Sequence, residues 1–177
     1  MRNLFRSGVL LVCMSGVAAG QAVPATGLPG PRYEIYGGFS RMRADIGTDR
    51  RANGWAASFA VRLNQWIGVE AAAGGGYTSV DHTQSTKLHY LLFGPWLAFP
   101  IKRVAPFMHA SVGVARWDLE GRGGETGVAK AGGLGLDARI TDRISVRLIQ
   151  ADYVNTRFND HDNAVVSAGV VVGLGQR

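Results

Sequence analysis

The chain has 177 residues, of which 46% are hydrophobic and 18% charged, with a formal net charge of +6. This length suits one domain of ordinary size. The basic residues are scattered and lack the clustered patch with interleaved aromatics of a nucleic-acid binder, so no nucleic-acid partner is expected. No run of about 18 apolar residues follows the N-terminus, which argues against a transmembrane helix in the mature chain.

The first segment, residues 1–22, is predicted to be a secretory signal peptide. Arg2 and Arg6 precede a short apolar stretch at 8–19, and small residues suited to cleavage follow at Ala18, Gly20 and Ala22. A basic start, a short apolar centre and small residues at the end are the order found in secretory signals. Cleavage would remove Cys13, the single cysteine, so no disulfide is expected to hold the fold.

After a Pro/Gly-rich leader at 23–31, the remainder of the chain, 32–177, alternates between apolar and other residues in eight runs. Successive side chains of a β-strand point to opposite faces, so such alternation predicts strands. We place them at 32–44, 54–64, 66–79, 86–99, 104–118, 126–140, 144–157 and 163–175. The even-numbered connections are tight turns. The odd-numbered ones are expected to be longer polar loops, at 46–53, 80–85, 120–125 and 159–162. Short turns at one end and longer loops at the other are typical of a bacterial outer-membrane barrel.

The two faces of these strands differ in polarity. In the second strand Trp55 and Phe59 share an apolar face, whereas Ser58 and Arg62 share the opposite one. We expect the apolar face to contact lipid and the small polar face to line the interior. The predicted fold is all-β, an eight-stranded antiparallel up-and-down transmembrane β-barrel, closed because lipid offers no hydrogen bonds to a free sheet edge. A soluble lipocalin-like barrel with the apolar face inside is the alternative.

The seventh strand breaks the alternation. Gln150 and Asp152 fall in the same phase as the apolar residues Val146 and Leu148. A β-bulge, which inserts one extra residue into a strand, would reverse the phase and reconcile the two pairs.

Several short motifs resemble those of the small outer-membrane β-barrel domain proteins, OmpA-like in architecture. The motifs are Tyr36–Ser40 (YGGFS), Phe93–Pro95 (FGP), Pro106–Phe107, Arg147–Tyr153 (RLIQADY) and Thr156–Phe158 (TRF). The resemblance covers the mature chain and implies a location in the cell outer membrane. The C-terminal Gly173–Arg177 departs from the family pattern because it lacks the terminal aromatic of the family's assembly signal. No peptidoglycan-binding domain follows the barrel, so a cell-wall tether is not expected.

Charged residues on the inner face form the first candidate site. We expect Arg62, Glu70, Asp137, Arg139 and Arg147 to project into the barrel, with Glu34 and Asp152 as further members. Side chains fill the interior of an eight-stranded barrel, so a charge placed there must be paired. The expected role is a neutralising ladder that plugs the interior. The alternative, implied by the OmpA-like resemblance, is a salt-bridge gate in a weak ion-conducting small porin.

Aromatic residues near the strand ends predict two girdles at the membrane–water interfaces. The loop-side group is Trp55, Tyr77 and Trp117, and the turn-side group is Tyr33, Trp66, Phe99 and Phe107. Amphipathic rings prefer this boundary. The alternative is that these are ordinary core aromatics at the ends of strands.

His109 and Ser111 raise an enzymatic alternative, a lipid A-modifying outer-membrane hydrolase. Side chains two residues apart on a strand share a face, which suits a base beside a hydroxyl nucleophile, and Glu120 could orient the histidine. Against this, the lipid A deacylases have an asparagine where this chain has Val112, and the pair is expected to face the interior rather than lipid.

No nucleotide, haem or closed metal motif is evident, although Asp160–Asp162 could touch a metal at the surface, so no cofactor is expected. The sequence thus predicts a non-enzymatic outer-membrane protein with a structural or surface-interaction role. We expect it to be a monomer whose partners are outer-membrane lipids, lipopolysaccharide and the outer-membrane assembly machinery.

Overall fold

The computed structural model describes residues 31–45, 49–80, 84–119, 123–156 and 161–175, which form eight β-strands. The strands are β1 Tyr33–Asp45, β2 Asp49–Arg62, β3 Ile67–Val80, β4 Gln84–Ala98, β5 Val104–Leu119, β6 Gly123–Arg139, β7 Ile144–Thr156 and β8 His161–Leu174. Among the described residues, no helix is long and apolar enough to cross a membrane. The predicted signal peptide and all but the last residue of the predicted leader lie outside these ranges.

The strands close into a single barrel. Each strand pairs antiparallel with its neighbours in sequence, and β1 also pairs with β8, from Tyr33 opposite Leu174 to Ala44 opposite Asn163. The closing pair satisfies the edges that β1 and β8 would otherwise expose, as a lipid environment requires. The predicted fold, an all-β closed barrel of eight antiparallel strands, is confirmed.

The expectation of four long polar loops was wrong. The intervals between strands at that end are 46–48, 81–83, 120–122 and 157–160, no longer than the turns at the other end, 63–66, 99–103 and 140–143. Residues assigned to the first loop continue the β1–β2 ladder as far as Asp45 opposite Asp49. The strands have 13 to 17 residues, whereas crossing a bilayer takes about 9–11. Strand ends that extend past the bilayer have their outer face in water, and the polarity of that face resembles that of a loop.

The outer surface is apolar. The exposed large side chains include Leu134, 64% exposed, Phe39, 60%, Leu91, 59%, and Phe93, 58%. Others follow around the barrel on every strand, among them Phe59, Val112, Leu148 and Val170. Soluble monomers rarely expose a continuous apolar surface of more than a few hundred Å². The outer surface is therefore one that contacts lipid, as expected for a transmembrane barrel.

The bulge predicted in β7 is present. The register against β6 shifts between Leu136 and Asp137, and the register against β8 shifts between Arg147 and Gln150. Leu148 and Ile149 are both exposed, whereas Arg147 and Gln150 are both buried. The extra residue thus allows two polar side chains three positions apart to share the interior.

The interior is more apolar than the sequence indicated. Its loop-side half holds a cluster that we call the apolar plug: Met42, Ala52, Leu88, Leu92, Ala115, Ala129, Ala131, Val154 and Val165, with Tyr90 and Trp117 packed against it. Two smaller clusters lie in the turn-side half, Tyr36 with Ala56 and Val171, and Trp96 with Ala98 and Phe107. The prediction of a small polar interior is thus wrong for the loop-side half.

Candidate functional site

Arg147 is at the centre of a polar network in the turn-side half of the interior. The bulge in β7 directs it inward, where it is 3% exposed. Its Nε donates to Asp137 Oδ1 at 2.9 Å, its Nη2 to Asp137 Oδ2 at 3.1 Å, and its Nη1 to Gln150 Oε1 at 2.6 Å. The guanidinium also lies over the rings of Tyr36 and Phe107, 4.3 and 4.1 Å from their centroids. Paired N–H donors and aromatic faces together stabilise a buried guanidinium.

The network continues from Gln150 to a histidine between two carboxylates. Gln150 Nε2 donates to Asp152 Oδ2 at 2.8 Å, and Asp152 Oδ1 lies 2.8 Å from His109 Nε2. On its other side, His109 Nδ1 lies 3.3 Å from Glu70 Oε2, although these two atoms are not aligned for a hydrogen bond. Six buried or half-buried polar side chains, from Asp137 to Glu70, are thus linked through close contacts across β7, β6, β5 and β3.

A second ion pair lies closer to the turns. Arg62 Nη2 is 2.6 Å from Glu34 Oε1, and its Nε donates to the same oxygen at 2.8 Å. The guanidinium lies over Trp96, 4.7 Å from the ring centroid. This ion pair joins two adjacent strands, β1 and β2, and does not extend across the barrel.

The predicted charge cluster falls into two groups. The structure places Arg62, Glu70, Asp137 and Arg147 in the interior, together with the two further members, Glu34 and Asp152. Arg139 does not join them, because it is half-buried at the turn-side mouth and makes no ion pair with any residue that the structure describes.

The predicted charge cluster omitted His109 and Gln150, which link its members. The orientation of both follows from the alternation of their strands, in which every second residue points inward. The alternation of β5 identifies His109 as inward, but Gln150 becomes inward only once the bulge is placed.

His109 and Ser111, the pair considered for catalysis, both point inward and are each 8% exposed. His109 is held by Asp152, and Ser111 Oγ is buried without a hydrogen-bond partner in the described part of the chain. Neither side chain reaches the outer surface, where an acyl chain would lie. Glu120, the proposed orienting residue, lies outside the described residues. Within the described ranges, no group of three or more His, Cys, Asp or Glu residues could hold a metal ion.

Five of the predicted girdle aromatics lie on the outer surface, four of them near a strand end and Trp55 near the middle of β2. Trp55, Tyr77, Trp66 and Phe99 are 39–46% exposed, and the half-buried Tyr33 stacks on Phe59 with ring centroids 6.1 Å apart. Trp55 Nε1 donates to the Tyr77 hydroxyl at 3.3 Å, and the centroids of Trp66 and Phe99 are 5.9 Å apart. Aromatic side chains thus pair on the outer surface in both the loop-side and the turn-side half of the barrel.

The other two predicted girdle residues point inward, and their assignment was wrong. Phe107 is 3% exposed beside Arg147, and Trp117 packs against the apolar plug with its Nε1 buried. Both share the phase of His109 and Ser111 on β5. The phase decides orientation, whereas position near a strand end does not.

The interior leaves little free space. A cavity of about 20 Å³ lies between the apolar plug and the polar network, bordered by Tyr36, Tyr90, His109 and Gln150. A recess of about 30 Å³ lies at the turn-side mouth. A site for one water needs roughly 10–15 Å³ on this measure, so each space holds one to three waters.

No protein-family model matches the sequence, and no curated protein matches it. Solved structures do match. Neisserial surface protein A is 14% identical, with a TM-score of 0.71 over 80% of this chain and 97% of that one. Ail, the attachment invasion locus protein of Yersinia pestis, is 15% identical, with a TM-score of 0.58 over 81% of this chain and 98% of Ail. OprG from Pseudomonas aeruginosa is 12% identical, with a TM-score of 0.59 over 84% of this chain and 98% of OprG.

These likenesses define the class of fold. The chain has the fold of the eight-stranded outer-membrane β-barrels. Its own outer surface, with exposed apolar side chains on every strand and an aromatic pair in each half of the barrel, is a lipid-facing surface. Fold and surface together make it a protein of the outer membrane.

Proposed function

We propose that this protein is a non-enzymatic outer-membrane barrel with a structural or surface-interaction role, and that its partners are membrane lipids and lipopolysaccharide. The observation that carries the proposal is the filled interior. Among the described residues, side chains occupy the centre of the barrel, so we infer that the protein acts through its outer surface and its ends. The four short connections at the loop side leave the strand ends themselves as much of the exposed surface there.

Two features of the interior argue against conduction. The apolar plug separates the polar network from the loop side, with Leu88 and Val165 8% and 1% exposed. On the other side of the plug, Asp137 and Arg147 are bound to each other by two hydrogen bonds. An ion would have to displace apolar side chains and then break this buried pair.

A lipid hydrolase is also disfavoured. The side chains of His109 and Ser111 both point into the barrel; β6 pairs with β5 along its whole length, and β4 pairs with β5 on both sides of Ala110 and Ser111. Acyl-ester chemistry would need these side chains on the lipid-facing surface.

Cations on the outer surface support contact with lipopolysaccharide. Outward-facing basic residues on the loop side form what we call the outer basic belt: Arg41, Arg43, Lys87, Arg116 and Lys130. Arg116 is paired with Asp118 at 3.1 Å, in a bridge whose side chains are 59% and 38% exposed. Lysine and arginine side chains near an anionic membrane surface each contribute about 1 kcal/mol to binding. Ail, one of the structural neighbours, has also been solved with the heparin analogue sucrose octasulfate, a polyanion.

Binding to lipopolysaccharide is tested by the thermal unfolding of the folded barrel in zwitterionic detergent. We expect intact lipopolysaccharide to raise the unfolding temperature more than lipopolysaccharide stripped of its phosphates. We expect Arg41→Gln combined with Lys130→Gln to lose most of that difference, because both cations face outward at the loop side. Arg32→Gln is the matched control, since Arg32 lies at the turn end, stacked on Tyr33 at 5.5 Å. Equal stabilisation of all forms by the two lipopolysaccharides would contradict the proposed partner.

The absence of conduction is tested in planar bilayers. Folded protein, verified by its shifted gel mobility before boiling, is expected to give no discrete channels. Reproducible channels whose conductance changes in Arg147→Met would establish the pore instead.

A further inference from the structure

The turn-side mouth holds an unusual number of unpaired cations. The recess of about 30 Å³ is lined by Lys102 and Arg103 from the β4–β5 turn, Arg139 at the end of β6, and Arg143 from the β6–β7 turn. We call these four residues the turn-end cations. Arg139 is half-buried, and the other three are exposed at the rim. Two turns and one strand end thus direct positive charge toward one small space.

The carboxylates around the recess do not neutralise these charges. Glu34 and Asp137 line it, but Glu34 is bound to Arg62 and Asp137 to Arg147. The remaining carboxylate, Asp142, is exposed and makes no salt bridge among the described residues. None of the turn-end cations has a salt bridge or a side-chain hydrogen bond within the part of the chain that the structure describes. The recess therefore has an excess of positive charge with free N–H donors.

The backbone at Lys102 fixes this residue beside the recess. Lys102 has a φ of 55°, and it is the one residue other than glycine with positive φ in the described ranges. The turn around it is tight, with Ile101 N–H donating to Val104 O at 2.7 Å and Val104 N–H to Ile101 O at 3.0 Å. Glycine or asparagine adopts this conformation more readily than lysine. Two-residue hairpin turns commonly need a positive φ at their first central residue, so the turn itself accounts for this conformation and fixes Lys102 beside the recess.

We propose that the turn-end recess binds a phosphate group. Guanidinium groups match the oxygens of a phosphate in pairs, and two or three cations are needed to balance its charge. The recess has room for part of a tetrahedral anion and opens to water at the mouth of the barrel. In an outer-membrane barrel whose N-terminus remains in the periplasm, the turns face the periplasm and the inner leaflet. The phosphate belongs either to the headgroup of an anionic phospholipid or to a free phosphate ester in the periplasm.

The test uses the isotope-labelled folded barrel in phosphatidylcholine nanodiscs. Inorganic phosphate is titrated at constant ionic strength while backbone amide resonances are followed. We expect saturable shifts confined to residues 101–104 and 139–144. Arg139→Gln removes a charged donor that faces the recess, and we expect it to weaken phosphate binding about tenfold or more. Arg143→Gln, on an exposed turn, provides the same test should Arg139→Gln fail to fold.

Arg32→Gln is the matched control, because Arg32 lies at the same end of the barrel but does not line the recess. We expect it to change the affinity less than twofold. Equal weakening by Arg32→Gln and Arg139→Gln would show only a diffuse attraction to a basic end and would overturn the proposal. The absence of saturable shifts at the two turns would overturn it as well.

A second set of nanodiscs identifies the source of the phosphate. Phosphatidylglycerol replaces part of the phosphatidylcholine, and the phosphate titration is repeated. A raised apparent Kd for inorganic phosphate, with the rise abolished by Arg139→Gln, assigns the recess to a lipid headgroup. An unchanged Kd assigns it to a soluble phosphate ester. Both results support phosphate as the ligand, and neither depends on the outer basic belt or on lipopolysaccharide.

Discussion

Replacing Arg147 by methionine is expected to cost about 3–5 kcal/mol of unfolding free energy, because it leaves Asp137 as a buried charge without its partner. Arg147 and Asp137 are 3% and 7% exposed, and the arginine supplies two N–H donors to the carboxylate. The lost cation–π contacts with Tyr36 and Phe107 are worth about 2 kcal/mol each when desolvated. Methionine in the same place recovers about 0.3–1.5 kcal/mol per ring through sulfur–aromatic contact. The unpaired carboxylate therefore dominates.

The double variant Arg147→Met/Asp137→Val distinguishes the interaction between the two residues from the interactions of each with its surroundings. Asp137→Val alone leaves a buried guanidinium, and we expect a loss similar to that of Arg147→Met. With both changes the site becomes apolar, and such replacements of buried pairs are often neutral or stabilising. Two costs remain: the hydrogen bond that Gln150 Oε1 accepted from Arg147, about 1 kcal/mol, and the part of the cation–π contacts with Tyr36 and Phe107 that methionine does not recover. The double variant should thus be more stable than either single variant.

The measurement is denaturant unfolding in phospholipid vesicles, followed by tryptophan fluorescence and by the gel mobility of unboiled samples. The exposed pair of Arg116 and Asp118 supplies the control, since Arg116→Gln is expected to cost less than about 1 kcal/mol. Additive losses in the Arg147→Met/Asp137→Val double variant would refute the argument, because the two residues would then act independently of each other.

Three other predictions address the faces of the barrel. A Cβ at Gly133 would collide with Asp152 Oδ1 and come within 2.6 Å of His109 Nε2, so Gly133→Ala should lower the denaturant midpoint of unfolding. Gly132→Ala is the control and should leave the midpoint unchanged, because the nearest atom to a Cβ at Gly132 is 3.9 Å away. Val170→Arg, on the lipid-facing side of β8, should cost about 2–4 kcal/mol in vesicles, and Leu174→Arg at the turn-side end about 0–1 kcal/mol; equal costs would contradict the assigned depths. In variants that retain one tryptophan each, brominated lipids should quench Trp55 and Trp66 strongly and Trp96 and Trp117 weakly, since the first pair lies outside and the second inside.

The barrel was predictable from the sequence because each strand alternates with a period of two residues and membrane barrels make that alternation large. The second strand illustrates this, with Phe59 outside at 45% exposure and Ala60 inside at 3%. The bulge in the seventh strand could also be predicted. Regular alternation would put the polar Gln150 and Asp152 on the same face as the apolar Val146 and Leu148, and one inserted residue removes that conflict. The number of strands and the face of each strand that points outward follow from the alternation of apolar and other residues.

The end positions and the contents of the interior were less predictable. Polarity failed to separate loop from strand at 49–53, since the outer face of a strand above the bilayer contacts water and carries polar residues. Phe107 and Trp117 were misassigned because their position along the strand was allowed to override their phase. Arg139 has the inward phase, but its place beyond the last interior layer depends on the shear between strands, which a single sequence does not show.

The interior is asymmetric, and this asymmetry connects the two proposals. Met42, Leu88 and Val165 close the loop side with apolar contacts, so the polar network is isolated from the outer face. On the turn side, the groups met from the interior toward the rim are the Arg147–Asp137 pair, then the Arg62–Glu34 pair, and then the turn-end cations. Each of the two interior arginines is thus paired with a carboxylate, whereas the cations at the mouth are not paired within the described part of the chain. A buried cation without a partner would be costly, whereas one at the rim retains its water until an anion binds. The structure therefore separates a sealed interior from a mouth on the turn side that remains able to bind an anion.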